Sequence, residues 1–340
     1  MGSFFILLVF SFIALVIVNT TWSTVNLYNF STEGINSLLQ GINFGENVVF
    51  SIFFKWILIA DGIWWVMFAL FLLQQNSKTK PILNYLQHKP IKNPKICVVT
   101  HTYNEEIVIE SVVKDFINQK NVESVIVVDN HSTDSTVEIA RQCGAKVITK
   151  EKNKGFAHSW VLGQKEALKT DADIVVITDA DGTFVGDDIR KMLPYLDYCD
   201  MVITSRQFQV LTEQGNQNNM MHTWGNNIIS FLLQLKYFNF KHKGLVRITD
   251  VGCGYRCFKR EALEKIVKQY EEKQPDKFTF GLQTPTVGLF TTTKAIESGL
   301  RIIEIPIVFK KRIGISKSGA FKKTTAFKFG WNFIWFILRN

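Results

Sequence analysis

Five cysteines among 340 residues, Cys97, Cys143, Cys199, Cys253 and Cys257, are odd in number and lack any paired two-residue spacing. That argues against a disulfide framework and for reduced thiols in a cytosol-facing domain. Cys253 and Cys257 would at most supply half a metal site, because no second pair and no nearby histidine completes it. The chain also has no Gly-x-Gly-x-x-Gly turn and no phosphate loop of the Gly-Lys-Ser type. A dinucleotide oxidoreductase and a P-loop ATPase are therefore disfavoured. No Lys or Arg occurs from Asn19 to Asn47, and none precedes the first apolar run.

That run, Phe4 to Val18, is uncharged, and a longer one from Val48 to Leu73 is interrupted only by Lys55, Asp61 and a few small residues. Both suit membrane spans. The first is also compatible with a cleaved leader, although it has no basic residue before its apolar core, and the second with a buried soluble helix. Lys78, Lys80, Lys89, Lys92 and Lys95 follow the second run closely, so the positive-inside rule places the remainder in the cytoplasm. Phe327, Trp331, Trp335 and Leu338 recur at helical spacing among Lys322, Lys323, Lys328 and Arg339. A membrane-interface helix is expected there, with a core-packing helix as the alternative. The formal charge of +9 and pI near 9.2 suit an anionic partner, but the basic residues flank membrane segments and form no continuous stripe. A nucleic-acid partner is therefore not expected.

From Ile96 onward apolar strands (Ile96–Thr100, Ser124–Asp129, Ala145–Thr149, Asp173–Thr178) alternate with helical patterns near Ile107–Asn118, Thr133–Cys143 and Ala157–Leu168. This order predicts an α/β domain with a mostly parallel sheet, whose ligands bind beyond the carboxyl ends of the strands. Those ends are polar: His101-Thr102-Tyr103-Asn104-Glu105, Asp129-Asn130-His131-Ser132 and Asp179-Ala180-Asp181. Two carboxylates one residue apart at a strand end can hold an oxygen-preferring cation, Mg or Mn. Asp134 is expected to cap the helix that starts near Thr133.

Together with Asn153-Lys154-Gly155, these motifs resemble glycosyltransferase family 2, whose catalytic domain has the GT-A fold. The runs Asp250-Val251-Gly252-Cys253-Gly254-Tyr255-Arg256 and Arg312-Ile313-Gly314-Ile315-Ser316-Lys317 are similar to the polyprenyl- and dolichyl-phosphate hexosyltransferase branch. The resemblance spans roughly Ile96 to Lys317. It implies a nucleotide-sugar donor, a lipid-linked phosphate acceptor, and residues 1–77 as membrane anchor (segments 4–18 and 48–73). Residues 78–95 then form a basic linker, 96–319 the catalytic domain and 320–340 the interface helix. The membrane is the endoplasmic reticulum in a eukaryote or the plasma membrane in a prokaryote, and homo-oligomerisation is left open.

The resemblance assigns metal ligation to Asp181, and contact with metal or donor ribose to Asp179. Thr102, Tyr103, Glu105, Asp129 and Lys154 fall in the donor site, with Tyr103 offering a face to the base, Glu105 accepting from ribose, Asp129 accepting a base N–H and Lys154 neutralising phosphate. Arg206, Arg256, Arg312, Ser316 and Lys317 fall at the acceptor phosphate, with Arg206, Arg312 and Lys317 also counted as catalytic beside the two aspartates; a structural ion-pair role is the alternative for each arginine, with equal weight for Arg256. Neither a Glu-Asp base motif nor a Gln-x-x-Arg-Trp element follows the metal motif. A phosphate oxygen is already anionic and needs alignment more than a base. Two departures stand out: Thr183 occupies the position where the mannosyl branch carries Gln, and Phe280-Gly281-Leu282-Gln283 replaces acidic residues. The pattern around Asp181 and the anchor preceding the domain tilt toward UDP-glucose. A hydroxyl acceptor within the same family, and an inactive nucleotide-sugar-binding protein, are the competing readings.

Overall fold

The apolar runs form two helices, α1 (Gly2–Asn29) and α2 (Ile52–Gln75). α1 continues past Val18 because its polar residues satisfy themselves on the helix. Asn19 donates to the Leu15 carbonyl, Thr20 to that of Val16 and Thr21 to that of Ile17. Phe5 stacks on Phe71 and Phe12 packs on Trp64, while Asn19 donates to Asp61 at 3.2 Å. Partner numbers fall along α2 as they rise along α1, so the helices are antiparallel. The partner of Asp61, which its spacing from Lys55 did not reveal, is therefore an amide on the neighbouring helix. Each helix contains a stretch long and apolar enough to cross a membrane, Phe5–Val25 and Lys55–Leu73.

The computed structural model describes residues 2–29, 31, 52–75, 87–218, 220–238, 247–272, 286–314 and 323–339. The chain divides into two units, one of residues 1–78 and 337–340 and the other of residues 79–336.

In the second unit a seven-stranded sheet has the order β3-β2-β1-β4-β6-β5-β7. Its strands are β1 (Ile96–Thr102), β2 (Val122–Asp129), β3 (Lys146–Thr149), β4 (Ile174–Asp179), β5 (Met201–Ser205), β6 (Arg256–Lys259) and β7 (Ile302–Pro306). The first four run parallel; β6 is antiparallel to both neighbours, and β7 is parallel to β5. β1 is buried along its whole length, as a central strand covered on both faces must be. On one face α3 (Ile109–Ile117) packs through Ile109, Val112, Val113 and Phe116 at helical spacing. On the other lies α5 (Phe156–Ala167), where a Cβ on Gly163 would stand 2.4 Å from Val99 Cγ1. Between them in sequence is α4 (Thr136–Gln142). It begins later than its pattern suggests, and Asp134 accepts from the Thr136 N–H as the first turn opens.

After α6 (Ile189–Leu196) come α7 (Met220–Lys236), α8 (Arg260–Glu272), α9 (Thr286–Glu297) and α10 (Lys323–Arg339). α10 only partly matches a lipid-facing helix. Phe327 and Trp331 are exposed, but Trp335 is half-buried and Leu338 buried. Phe333 and Phe336 are also buried, with Phe336 set edge-on against Phe290 of α9. Part of the helix is therefore core packing.

Candidate active site

Parallel pairing sets Thr102 opposite Asp129 and His101 opposite Asp179, so the polar ends of β1, β2 and β4 lie side by side. Beyond them the loops lock together. Asn104, at φ +54°, accepts from Thr133 N–H and donates its own N–H to Ser132 Oγ, while Glu105 N–H donates to Thr136 Oγ1. Tyr103 is half-buried here and Thr102 is buried. Asp129 is 2 % exposed and accepts from the His131 and Ser132 N–H groups and from the Ser132 hydroxyl. Much of its acceptor capacity thus shapes the turn. Lys154 is exposed, its backbone N–H held by Asn130 Oδ1. The buried amine nearby is instead Lys150, which donates to Ser159 Oγ at 2.7 Å. Burial lowers it to about 8, against the opposing pull of Asp129.

The two aspartates occupy contrasting environments. His101 Nε2 lies 3.5 Å from Asp179 Oδ1, its ring packed against Phe156 and Trp160, which also touch each other. Gly254 closes the other side: a Cβ there would come within 2.8 Å of Asp179 Oδ2. Burial pushes the Asp179 carboxyl up, but His101 and the charges of Arg206 and Arg312 outweigh it, leaving it below the ordinary aspartate value. Asp181 is held above that value, chiefly by burial and then by the charge of Asp179. Its Oδ1 accepts from both the N–H and the hydroxyl of Thr183, the residue noted above as a departure from the mannosyl-branch pattern.

Arg312 closes the arrangement, donating to Asp181 Oδ2 at 2.6 Å and to Glu105 Oε1. Its loop is anchored by Ile313 N–H to the Asp181 carbonyl and Lys310 N–H to that of Thr183. Arg206, just past β5, makes a bidentate pair with Asp250 at 2.8 Å and stacks over Phe309. It lies close enough to Asp179 for its charge to lower that carboxyl.

Arg256 corrects the expectation of an acceptor contact. Fully buried at the start of β6, it donates to the carbonyls of Cys253 and Val251 and to Thr292 Oγ1, and lies over the Trp160 ring. A guanidinium sealed in this way braces the turn that carries Gly254 and is not available to a ligand. Ser316 and Lys317, and the segment Phe280-Gly281-Leu282-Gln283, lie outside the described residues.

Residues 97–267, half of the chain, match the family model described as Glycosyl transferase family 2. The chain belongs to glycosyltransferase family 2. Among curated relatives it is 30% identical over 203 residues to UDP-N-acetylglucosamine–dolichyl-phosphate N-acetylglucosaminyltransferase of Methanococcus voltae, covering 53% of this chain and 75% of the relative. It is 28% identical to dolichyl-phosphate hexose transferase of Haloferax volcanii, covering 66% and 87% of the two chains. To polyprenol monophosphomannose synthase of Mycolicibacterium smegmatis it is 27% identical, covering 68% and 84%. Among solved structures, glucosyl-3-phosphoglycerate synthase from Mycobacterium tuberculosis aligns with a TM-score of 0.48 at 17% identity, covering 71% and 79%.

This family 2 chain has the GT-A α/β fold: the order of its elements predicted the mostly parallel sheet, and the family resemblance implied GT-A. Its residues suit a divalent cation: Asp179 and Asp181 are hard oxygen donors one residue apart, and the Asp179 charge helps hold Asp181 above the ordinary aspartate value, a penalty that a positive ion bound there would relieve. Among the described residues no third His, Cys, Asp or Glu joins them in a metal-ligating group. Two carboxylates, completed by phosphate oxygens and water, is a common arrangement for Mg. Sequence reasoning passed over His101, Lys150, Asp250 and Gly254 as site residues. Asp250 and Gly254 lie in a motif that carries the family resemblance, but only strand register and loop packing reveal what these four residues touch.

Proposed function

We propose that this glycosyltransferase moves a hexosyl group from a nucleoside-diphosphate sugar, with UDP-glucose favoured, onto a polyprenyl or dolichyl phosphate at the cytoplasmic face of a membrane. The observation that carries this reading is the pairing of a carboxylate cluster, Glu105, Asp179 and Asp181, with two arginines, Arg206 and Arg312, at one set of strand ends. The carboxylates belong with donor and cation and the guanidinium groups with phosphate, whose oxygens match their planar fork. The later acidic candidate for a base, Asp250, is 0 % exposed and held by Arg206, so it is a poor proton acceptor for a hydroxyl. The names of the relatives point to the same acceptor class.

In the proposed reaction an oxygen of the lipid phosphate attacks the anomeric carbon as the bond from that carbon to the nucleoside diphosphate breaks, with inversion. A bound Mg or Mn ion, held by Asp181 and Asp179, would supply Lewis-acid stabilisation to the departing diphosphate. Arg206 and Arg312, joined by Lys317, align the acceptor phosphate and offset its charge. Tyr103, Thr102 and Glu105 bind the nucleoside. Asp129 adds a base contact from the capacity its turn leaves, and Lys154 reaches a phosphate.

A lipid substrate also accords with surface features. On α7 the large residues Met220, Trp224, Ile228 and Phe231 are all exposed and follow one another at helical spacing. Such a stripe suits the boundary of headgroups and acyl chains. The lysines after α2 and their absence before it support the cytoplasmic orientation.

The test is radiolabel transfer from a panel of UDP- and GDP-sugars to short polyprenyl phosphates, with Mg or Mn and with chelator, for wild type and Asp181→Ala. Metal-dependent label in the lipid phase, lost in Asp181→Ala, is expected. Donor hydrolysis without lipid label would shift the reading to a hydroxyl acceptor, and silence toward every donor would leave a binding protein.

A further inference from the structure

We propose that Asp250 and Asn226 are positioning residues whose task is to aim Arg206 at the acceptor phosphate, a role that rests on the acceptor reading above. Asp250 is fully enclosed, whereas the Arg206 side chain is a quarter exposed. The pair is therefore one-sided, with a buried anion behind and a cation in front.

The orientation is over-determined. Asp250 Oδ2 accepts from Arg206 Nε at 2.8 Å and from the Arg206 backbone N–H at 3.0 Å, and Oδ1 accepts from Arg206 Nη2 at 2.8 Å. Asn226, from α7, donates to Oδ1 at 2.9 Å. Behind the carboxylate, Glu304 of β7 accepts the Asp250 N–H at 2.7 Å and both donors of Thr249. Phe309 closes one face of the guanidinium, with its ring centre 5.5 Å from Cζ, and Asn218 donates to the Arg206 carbonyl at 2.8 Å.

One edge of the guanidinium is thus consumed and one face covered. Among the described residues the Nη1 group takes no protein acceptor, and the whole cation stands near Asp179. A planar fork clamped along its Nε–Nη2 edge can present its remaining donors in only one direction. Asn226 matters because it holds the oxygen shared with Nη2; without it Asp250 can rotate and carry the fork with it. A buried pair whose only function was stability would be an inefficient choice, since enclosing two charges gains little over apolar packing.

The experiment uses the full-length protein in detergent micelles with a short polyprenyl phosphate, measuring kcat and both KM values. The variants are Asp250→Asn, Asn226→Ala, Arg206→Ala and the Arg206→Ala/Asp250→Asn double. Asp250→Asn is expected to raise the acceptor KM about tenfold and Asn226→Ala about threefold, with the nucleotide-sugar KM within about twofold of wild type. In the double variant the acceptor KM should equal that of Arg206→Ala, because positioning acts only through the arginine. An equal rise in donor KM, or an additive effect in the double variant, would overturn the proposal. So would a fall in kcat with acceptor KM unchanged, which would mark Asp250 as a base. Should Asp250→Asn fail to fold, Asn226→Ala decides alone, and an unchanged acceptor KM there refutes it. Absence of lipid label with the wild type would sink the acceptor assignment separately; the positioning role is then read from the same variants against the acceptor that the wild type does use.

Discussion

Asp179 and Asp181 are separated by one alanine, yet their carboxyls shift in opposite directions. The raised value of Asp181 has two consequences. Cation binding requires its ionised form, so divalent-ion affinity should weaken as pH falls, beginning above the range where an ordinary aspartate titrates. For stability the sign is the reverse: a carboxyl harder to ionise when folded favours the fold at lower pH, so its charge is a burden at neutral pH. Asp181→Asn should therefore raise the melting temperature in chelator while cutting transfer on the order of a hundredfold or more. Calorimetry beside the radiolabel assay checks both, and a lowered melting temperature would contradict the assignment. At Gly254 the constraint is spatial. A methyl group there would meet Asp179 at 2.8 Å. Gly254→Ala should reduce transfer by about a hundredfold through displacement of that carboxylate. Gly225→Ala, where nothing lies within 4 Å, serves as the tolerant control.

At the scale of elements, the fit of α5 on the sheet depends on Gly163. Its missing side chain admits Val99 of β1 and Val128 of β2, whose methyls would stand 2.4 and 3.1 Å from a Cβ. Gly163→Ala is expected to cost about 1–3 kcal/mol, read as a lower denaturant midpoint with unchanged slope. The same helix supplies Phe156 and Trp160 around His101, so loosening it should weaken the site as well as the core. α10 shows why amphipathic spacing alone leaves an interface helix and a core-packing helix both open. The aromatic residues counted toward lipid were a subset, and Phe333 and Phe336 between them are the ones that face the core. A period of 3.6 identifies a face but not what covers it.

For the whole molecule the expectation is directional. In sealed vesicles of known sidedness, protease should digest the catalytic domain only from the cytoplasmic side, leaving fragments that contain α1 and α2 protected. Digestion from the opposite side would reverse the orientation inferred from Lys78, Lys80, Lys89, Lys92 and Lys95.

Much of this architecture was legible from local pattern. Apolar runs located α1 and α2, though α1 extends beyond its run, the order of strand and helix patterns located β1 to β4 with the helices between them, and the polar residues where strands stop marked the Asp-x-Asp pair and its neighbouring loops. These properties depend on neighbours a few residues apart, which the chain states directly. The tertiary structure alone decided which charges meet. Arg312 reaches Asp181 across 131 residues of chain, and Arg206 reaches Asp250 across 44. Arg256, no different in kind, is sealed in the core, and His101 comes beside Asp179 because β1 pairs with β4. Burial and long-range register assign each cation its acceptor, and neither is encoded in the spacing around the cation itself.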